Sequence, residues 1–172
     1  VMNQAKSNYA LSSAILPVVI AVALLWVIQS AGVLFDLPLN VLGVIPHDWS
    51  RLYGVVTSAL VHGSYEHLFN NTLPLIVLGA MLRYGYPNSR LKVLIFAWLG
   101  SGIGVWLFGR ESVHLGASGV SHGLFFFLFT VSLGRKDKRS VALMMIAFFM
   151  YGGMIMSIFP RDPGLSYEAH FF

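Results

Sequence analysis

Long apolar stretches separated by short polar segments dominate this chain of 172 residues. The stretches follow one another as residues 11–35, 64–82, 91–108, 117–133, 141–159 and 166 to the end. Each complete stretch is near the ~20 residues that an α-helix needs to cross a bilayer. Lipid offers the backbone no hydrogen-bond partner, so such stretches form helices. We therefore predict an all-α membrane protein, a bundle of six transmembrane helices with the sixth cut short in this chain, in one domain spanning residues 1–172.

The composition excludes most soluble functions. Charged residues make up 10% of the chain, whereas a soluble domain carries about 25%, so the chain cannot cover a water-facing surface. The net charge of +4 does not indicate nucleic-acid binding, because the basic residues lie in short loops rather than along one solvated face. The chain has no cysteine, which excludes disulfides, thiolate nucleophiles and cysteine-based metal sites.

Lysine and arginine residues are distributed unequally between the two sides of the predicted bundle. If the stretches alternate in direction, eight lie on one side, namely Lys6, Arg83, Arg90, Lys92, Arg135, Lys136, Lys138 and Arg139. Three lie on the other, namely Arg51, Arg110 and Arg161. The side richer in positive charge is normally cytoplasmic. We expect a cytoplasmic N-terminus and a first loop, residues 36–57, on the outer side.

Polar residues from separate stretches reach one depth near the outer face in this topology. His62, His67 and Asn71 stand at the start of the second stretch, Ser118 opens the fourth and His170 opens the sixth. Ionisable groups inside a membrane are costly and usually mark a site. Any one histidine alone is better explained as a wetted interfacial residue. Their convergence favours a site, with a metal or proton relay through the histidines as a competing hypothesis.

Ser118 is the candidate nucleophile of such a site. It lies between Gly116 and Gly119, and glycine permits close backbone approach and strained turns. A serine hydroxyl needs a neighbouring base to take its proton, and His170 is the candidate base. Taken alone, the Gly-Ala-Ser-Gly segment is better explained as a small-residue contact between helices.

The order and spacing of these motifs resemble the rhomboid family of intramembrane serine proteases. The motifs are His62-x-x-x-x-His67-x-x-x-Asn71, Gly116-Ala-Ser118-Gly119 and Ala169-His170. The segment Trp49-Ser-Arg51 is also similar to a Trp-Arg feature of the family's first loop, with one residue interposed. The resemblance extends from about Trp49 to the end of the chain.

The resemblance implies a catalytic dyad in which Ser118 is the nucleophile and His170 the general base. It further implies an oxyanion hole lined by His67, Asn71 and the Ser118 N–H, with Gly116 and Gly119 shaping the turn. His62 would support His67. The long first loop would be membrane-associated and lie partly in the outer leaflet. The residues 160–165 and the fifth stretch would form a movable gate and cap over the site.

One position departs from the family pattern. Four residues after Ser118, where many relatives carry a tyrosine that stacks on the base, this chain has His122. We expect His122 to stack likewise, with a second imidazole near the site as the alternative.

The expected partners are single-span transmembrane protein substrates within the lipid bilayer, with no nucleic acid, no cofactor and no metal. The expected location is a bacterial inner membrane, in which the protein is a multi-pass integral protein. The competing function is a catalytically inactive rhomboid-like protein that binds membrane clients.

Overall fold

The computed structural model describes residues 11–135 and 137–158. Every regular element in these residues is helical, which confirms the all-α class. The α-helices are α1 (Leu11–Leu34), α2 (Gly54–Thr57), α3 (Tyr65–Gly85), α4 (Arg90–Phe108), α5 (Ser118–Arg135) and α6 (Lys138–Tyr151). Short 3-10 helices cover Leu39–Leu42, Trp49–Arg51, Ser58–Leu60 and Gly152–Ile158.

Three of the described helices are long and apolar enough to cross a membrane: α1, α4 and the segment Lys138–Ile155. Together they make this a multi-pass membrane protein. The predicted count of six spans stays a prediction. The sixth stretch, the predicted cap at residues 160–165 and His170 all lie outside the described residues.

The fifth apolar stretch differs from the predicted continuous helix over residues 141–159. Its α-helical hydrogen bonding begins earlier, at Lys138, where Asp137 caps the helix by accepting from the Ser140 N–H. It ends at Tyr151, and the chain continues as a 3-10 helix from Gly152. Gly152 and Gly153 explain this change, because glycine is among the weakest formers of an α-helix interior.

Helix α3 lies at the centre of the bundle and contacts α1, α5 and α6. Leu68 and Leu78 of α3 are fully buried, as are Phe125 and Leu128 of α5, and all four belong to one core. A side chain at Gly79 would lie only 2.9 Å from Val18 of α1. Small residues of this kind let helices approach closely, so the helix that carries His67 and Asn71 is held on several sides.

The first loop packs against α4 and turns apolar side chains outward. The Trp98 side chain donates a 2.8 Å hydrogen bond to the Val56 backbone oxygen. Gly102 of α4 meets the Val55 backbone so closely that no side chain would fit there. Trp49 and Val56 are exposed, a pattern expected of a loop in contact with lipid. The outer-leaflet position of this loop stays a prediction.

Candidate active site

The loop that precedes α5 is tied by backbone hydrogen bonds to the first loop and to the segment before α3. Val44 and His114 exchange a pair of 2.9 Å bonds, each N–H donating to the other residue's carbonyl oxygen. Two residues further on, the Gly116 N–H donates to the Ser58 carbonyl oxygen at 2.9 Å. Paired polar backbone groups at a buried position are costly to separate. The turn that leads into Ser118 is therefore held from two sides.

His62 provides the next attachment of this loop. Its Nε2 accepts a 3.2 Å hydrogen bond from the backbone N–H of Ala117, the residue before Ser118. An imidazole nitrogen that accepts a hydrogen bond carries no proton, so the proton is on Nδ1. His62 also contacts the His67 ring edge-on, with 5.0 Å between ring centroids. The structure thus brings His62 to His67, and also to the backbone beside Ser118, which the sequence does not indicate. That His62 supports His67, as the family resemblance implies, stays a prediction.

The buried position of His62 makes the fold sensitive to acid. The residue lies in the loop before α3, where burial lowers the pKa of His62 to about 4 and the His67 ring adds to the decrease. An unfolded histidine has a pKa near 6.5. As the pH falls from about 6.5 to 4, the unfolded chain gains a proton on this residue that the folded chain does not, so the stability decreases.

We expect His62→Gln to remove this part of the pH dependence, since a glutamine oxygen can accept from Ala117 and does not titrate. Thermal unfolding in detergent at pH 7.5 and pH 5 measures the effect in both proteins. A loss of stability between these pH values that is equally large in the variant would contradict the assignment. His62→Leu offers no acceptor, and we expect it to be about 1–3 kcal/mol less stable than His62→Gln at either pH.

Gly116 brings the loop against the His67 ring. Its backbone has φ +110°, a conformation that residues with a side chain rarely adopt. A Cβ atom there would lie 2.6 Å from Cε1 and 2.7 Å from Nε2 of His67. The loop and the imidazole are therefore in direct contact, two residues before Ser118.

His67 and Asn71 lie one helical turn apart on α3, as their spacing predicts. The Ser64 hydroxyl caps the helix by accepting from the His67 N–H at 3.0 Å. The buried Asn71 side chain donates through Nδ2 to the His67 carbonyl oxygen at 3.0 Å. A side-chain amide has two N–H donors, and this contact uses one of them.

Helix α5 begins at Ser118. The Ser118 carbonyl oxygen accepts from the Ser121 hydroxyl at 2.8 Å and from His122 Nδ1 at 2.7 Å. His122 is buried, so its ring lies against the first turn of α5. Stacking of His122 on His170 stays a prediction, because His170 is outside the described residues.

A small cavity lies beside this turn. Its volume is about 20 Å³, and its lining is mainly apolar but includes Ser58, Ser101 and His114. A space of this size is large enough for one water molecule. The residues Ser58 and His114 were not predicted as part of the site, since nothing in the sequence pairs them with segments far along the chain. Among the described residues, no three side chains of the metal-binding types come together.

The sequence of this chain is similar to those of several known proteins. A family model described as the Rhomboid domain matches residues 49–172. Uncharacterized proteins of Mycobacterium bovis and Mycobacterium tuberculosis are 29% identical over 158 residues, which is 87% of this chain. The chain spans 66% of the length of these mycobacterial relatives. Rhomboid-like protein 11, chloroplastic, of Arabidopsis thaliana is 26% identical over 70% of this chain and 43% of its own length. No solved structure matches significantly.

Proposed function

The chain belongs to the rhomboid family, which confirms the resemblance, and on this premise we propose that it is an intramembrane serine endopeptidase. In this proposal Ser118 and His170 form the catalytic dyad. The observation that supports it most strongly is the attachment of the Ser118 turn to two histidines. His62 binds the Ala117 N–H, and the His67 ring packs against Gly116.

In the proposed reaction, the Ser118 Oγ attacks the carbonyl carbon of a substrate peptide bond while His170 accepts the hydroxyl proton. The tetrahedral intermediate collapses to an acyl-enzyme, and His170 gives the proton to the departing amine. A water molecule, deprotonated by His170, then attacks the ester and restores the Ser118 hydroxyl. The water-sized cavity beside Gly116 supports this second step, because it lies next to the turn that carries the ester.

The start of α5 supports the stabilisation of negative charge on the substrate oxygen. Ser118 is the first residue of α5, and the N-terminus of a helix carries partial positive charge and N–H groups that point out of the helix end. Donors fixed before the reaction are effective because they need no rearrangement as charge develops. The contacts of His62 and His67 with this turn fix its backbone, and His67 and Asn71 are the proposed side-chain donors.

The proposed substrates are single-span transmembrane proteins cut near the outer membrane face. The distribution of lysine and arginine supports a cytoplasmic N-terminus, and hence an outer position for the Ser118 turn. The proposed location is a bacterial inner membrane. A substrate helix hides its carbonyl groups in its own hydrogen bonds, so it has to unwind locally before Ser118 reaches one.

The need for local unwinding of the substrate helix can be tested with purified protein in vesicles. We expect a single-span substrate with glycine near its outer end to be cleaved about fivefold faster than the same substrate with leucine there. Glycine weakens a helix by about 1 kcal/mol, and this difference corresponds to about fivefold in rate. Mass spectrometry of the products measures the rate and the position of the cut.

The same experiment decides between the protease and the inactive, client-binding relative. Cleavage confined to the outer part of the substrate helix supports the protease. Retention of the intact substrate on the protein, with no product for any sequence tested, would favour client binding and contradict the dyad. Cleavage of the substrate at a bond outside the bilayer would contradict the proposal that the site lies within the membrane.

A further inference from the structure

Two arginines lie over two tyrosines at the end of the bundle opposite the Ser118 turn. Arg135, the last residue of α5, has its guanidinium carbon 5.6 Å from the centre of the Tyr86 ring. Arg139, in the first turn of α6, lies 4.2 Å from the centre of the Tyr84 ring. Arg139 also donates a hydrogen bond to the Tyr84 backbone oxygen. Stacking on an aromatic face restricts a guanidinium and leaves its edge available for hydrogen bonds.

The tyrosine beneath Arg135 is fixed by a buried polar network. The Tyr86 hydroxyl donates to the Ser140 hydroxyl at 3.0 Å. Ser132 donates to the Ser140 carbonyl oxygen at 2.8 Å and to that of Leu128 at 2.6 Å. Because Tyr86, Ser132 and Ser140 are all buried, this network joins the ends of α3, α5 and α6 into one support.

The surface above this support has an excess of positive charge. Arg135, Lys138 and Arg139 are exposed and contribute three positive charges, and Asp137 contributes one negative charge. The Asp137 carboxylate already accepts from the Ser140 N–H and hydroxyl, and it lies 3.6 Å from Arg135. In the part of the chain that the structure describes, no carboxylate forms an ion pair with Lys138 or Arg139.

The arginines lie where apolar helices end. The segment Lys138–Ile155, which contains Arg139, is long and apolar enough to cross a membrane. An anionic lipid at such a helix end has its phosphate at the membrane surface and its acyl chains along the apolar helix. A soluble phosphate would use the arginines alone.

We propose that Arg135 and Arg139 bind the phosphate of an anionic phospholipid in the leaflet at this end of the bundle. Arginine binds phosphate through two parallel N–H donors, and basic surfaces at helix ends recognise anionic headgroups. The two arginines belong to different helices, so a single phosphate between them would link α5 to α6. This site is separate from the Ser118 turn and does not depend on proteolysis.

Native mass spectrometry of the purified full chain tests this proposal. The protein is released from micelles that hold equal amounts of phosphatidylglycerol and phosphatidylcholine. We expect wild-type protein to retain phosphatidylglycerol preferentially. Losing one charge-assisted contact is expected to reduce the preference about tenfold in Arg139→Gln and in Arg135→Gln. Lys92→Gln is the matched control, since it removes the same charge from an exposed position at the same end of the bundle.

Three outcomes would overturn the proposal. An equal loss in Lys92→Gln and the arginine variants would mean that general surface charge attracts the lipid. Unchanged retention in both arginine variants would exclude the site. Displacement of the lipid by millimolar inorganic phosphate would assign the arginines to a soluble anion. Arg135→Gln keeps the test valid if Arg139→Gln fails to fold, because the bond to the Tyr84 carbonyl oxygen is made by Arg139.

Discussion

Replacing Ser118 with alanine is expected to lower the rate of substrate cleavage by about 10⁴-fold or more. Removing the nucleophile of a serine protease leaves only the small contribution of binding and oxyanion stabilisation. Alanine is smaller than serine and favours the helix that begins at this residue. We therefore expect the variant to keep the thermal stability of the wild type. The measurement is product formation from a single-span substrate in vesicles.

A serine-directed fluorophosphonate tests the same residue without a substrate. We expect it to label wild-type protein at Ser118 and to leave Ser118→Ala unlabelled. Ser121→Ala is the matched control: Ser121 lies one turn further along α5, is buried, and should not be needed for labelling. Equal cleavage by wild type and Ser118→Ala would disprove the proposed chemistry. Labelling at Ser121 instead of Ser118 would show that Ser121, and not Ser118, is the reactive serine.

Much of the helical architecture could be predicted from hydropathy, because a lipid environment leaves the backbone few alternatives. The predicted stretch at residues 91–108 agrees with α4 within one residue, and the stretch at 11–35 agrees similarly with α1. The conversion to a 3-10 helix at Gly152 was not predicted. Hydropathy measures whether a segment prefers lipid, and it does not respond to the weak helix propensity of two successive glycines.

The sequence predicted which residues form the candidate site. It did not predict the hydrogen bonds that join those residues to distant segments of the chain. The spacing of His67 and Asn71 places them one turn apart on a helix, so local geometry alone was sufficient. The bond from the Ala117 N–H to His62 and the pairing of Val44 with His114 join segments more than fifty residues apart. Such contacts arise from the packing of the first loop, which has no repeating pattern from which a partner could be inferred. The supporting role of His62 toward His67 stays a prediction, and its bond to the Ala117 N–H is an additional contact.

Gly116→Ala is expected to disable the protein even though it adds a single methyl group. The backbone at this position has φ +110°, and a strained conformation of this kind costs a residue with a side chain about 1–3 kcal/mol. The new Cβ would also overlap the His67 ring, at 2.6 Å from Cε1. Either the turn or the imidazole has to move. A displacement of about 1 Å at a reacting group lowers a rate about 10²-fold.

Gly134→Ala is the matched control, because it makes the same change inside helix α5, where there is room for a methyl group. Among the described residues, no atom beyond the surrounding helix backbone lies within 4 Å of a Cβ at Gly134, and alanine is the better helix former by about 1 kcal/mol. We expect Gly134→Ala to retain full cleavage and wild-type or higher thermal stability. If Gly116→Ala instead matched this control in both measurements, the turn before Ser118 would not depend on contact with His67. The backbone donors of the proposed oxyanion hole would then need a different support.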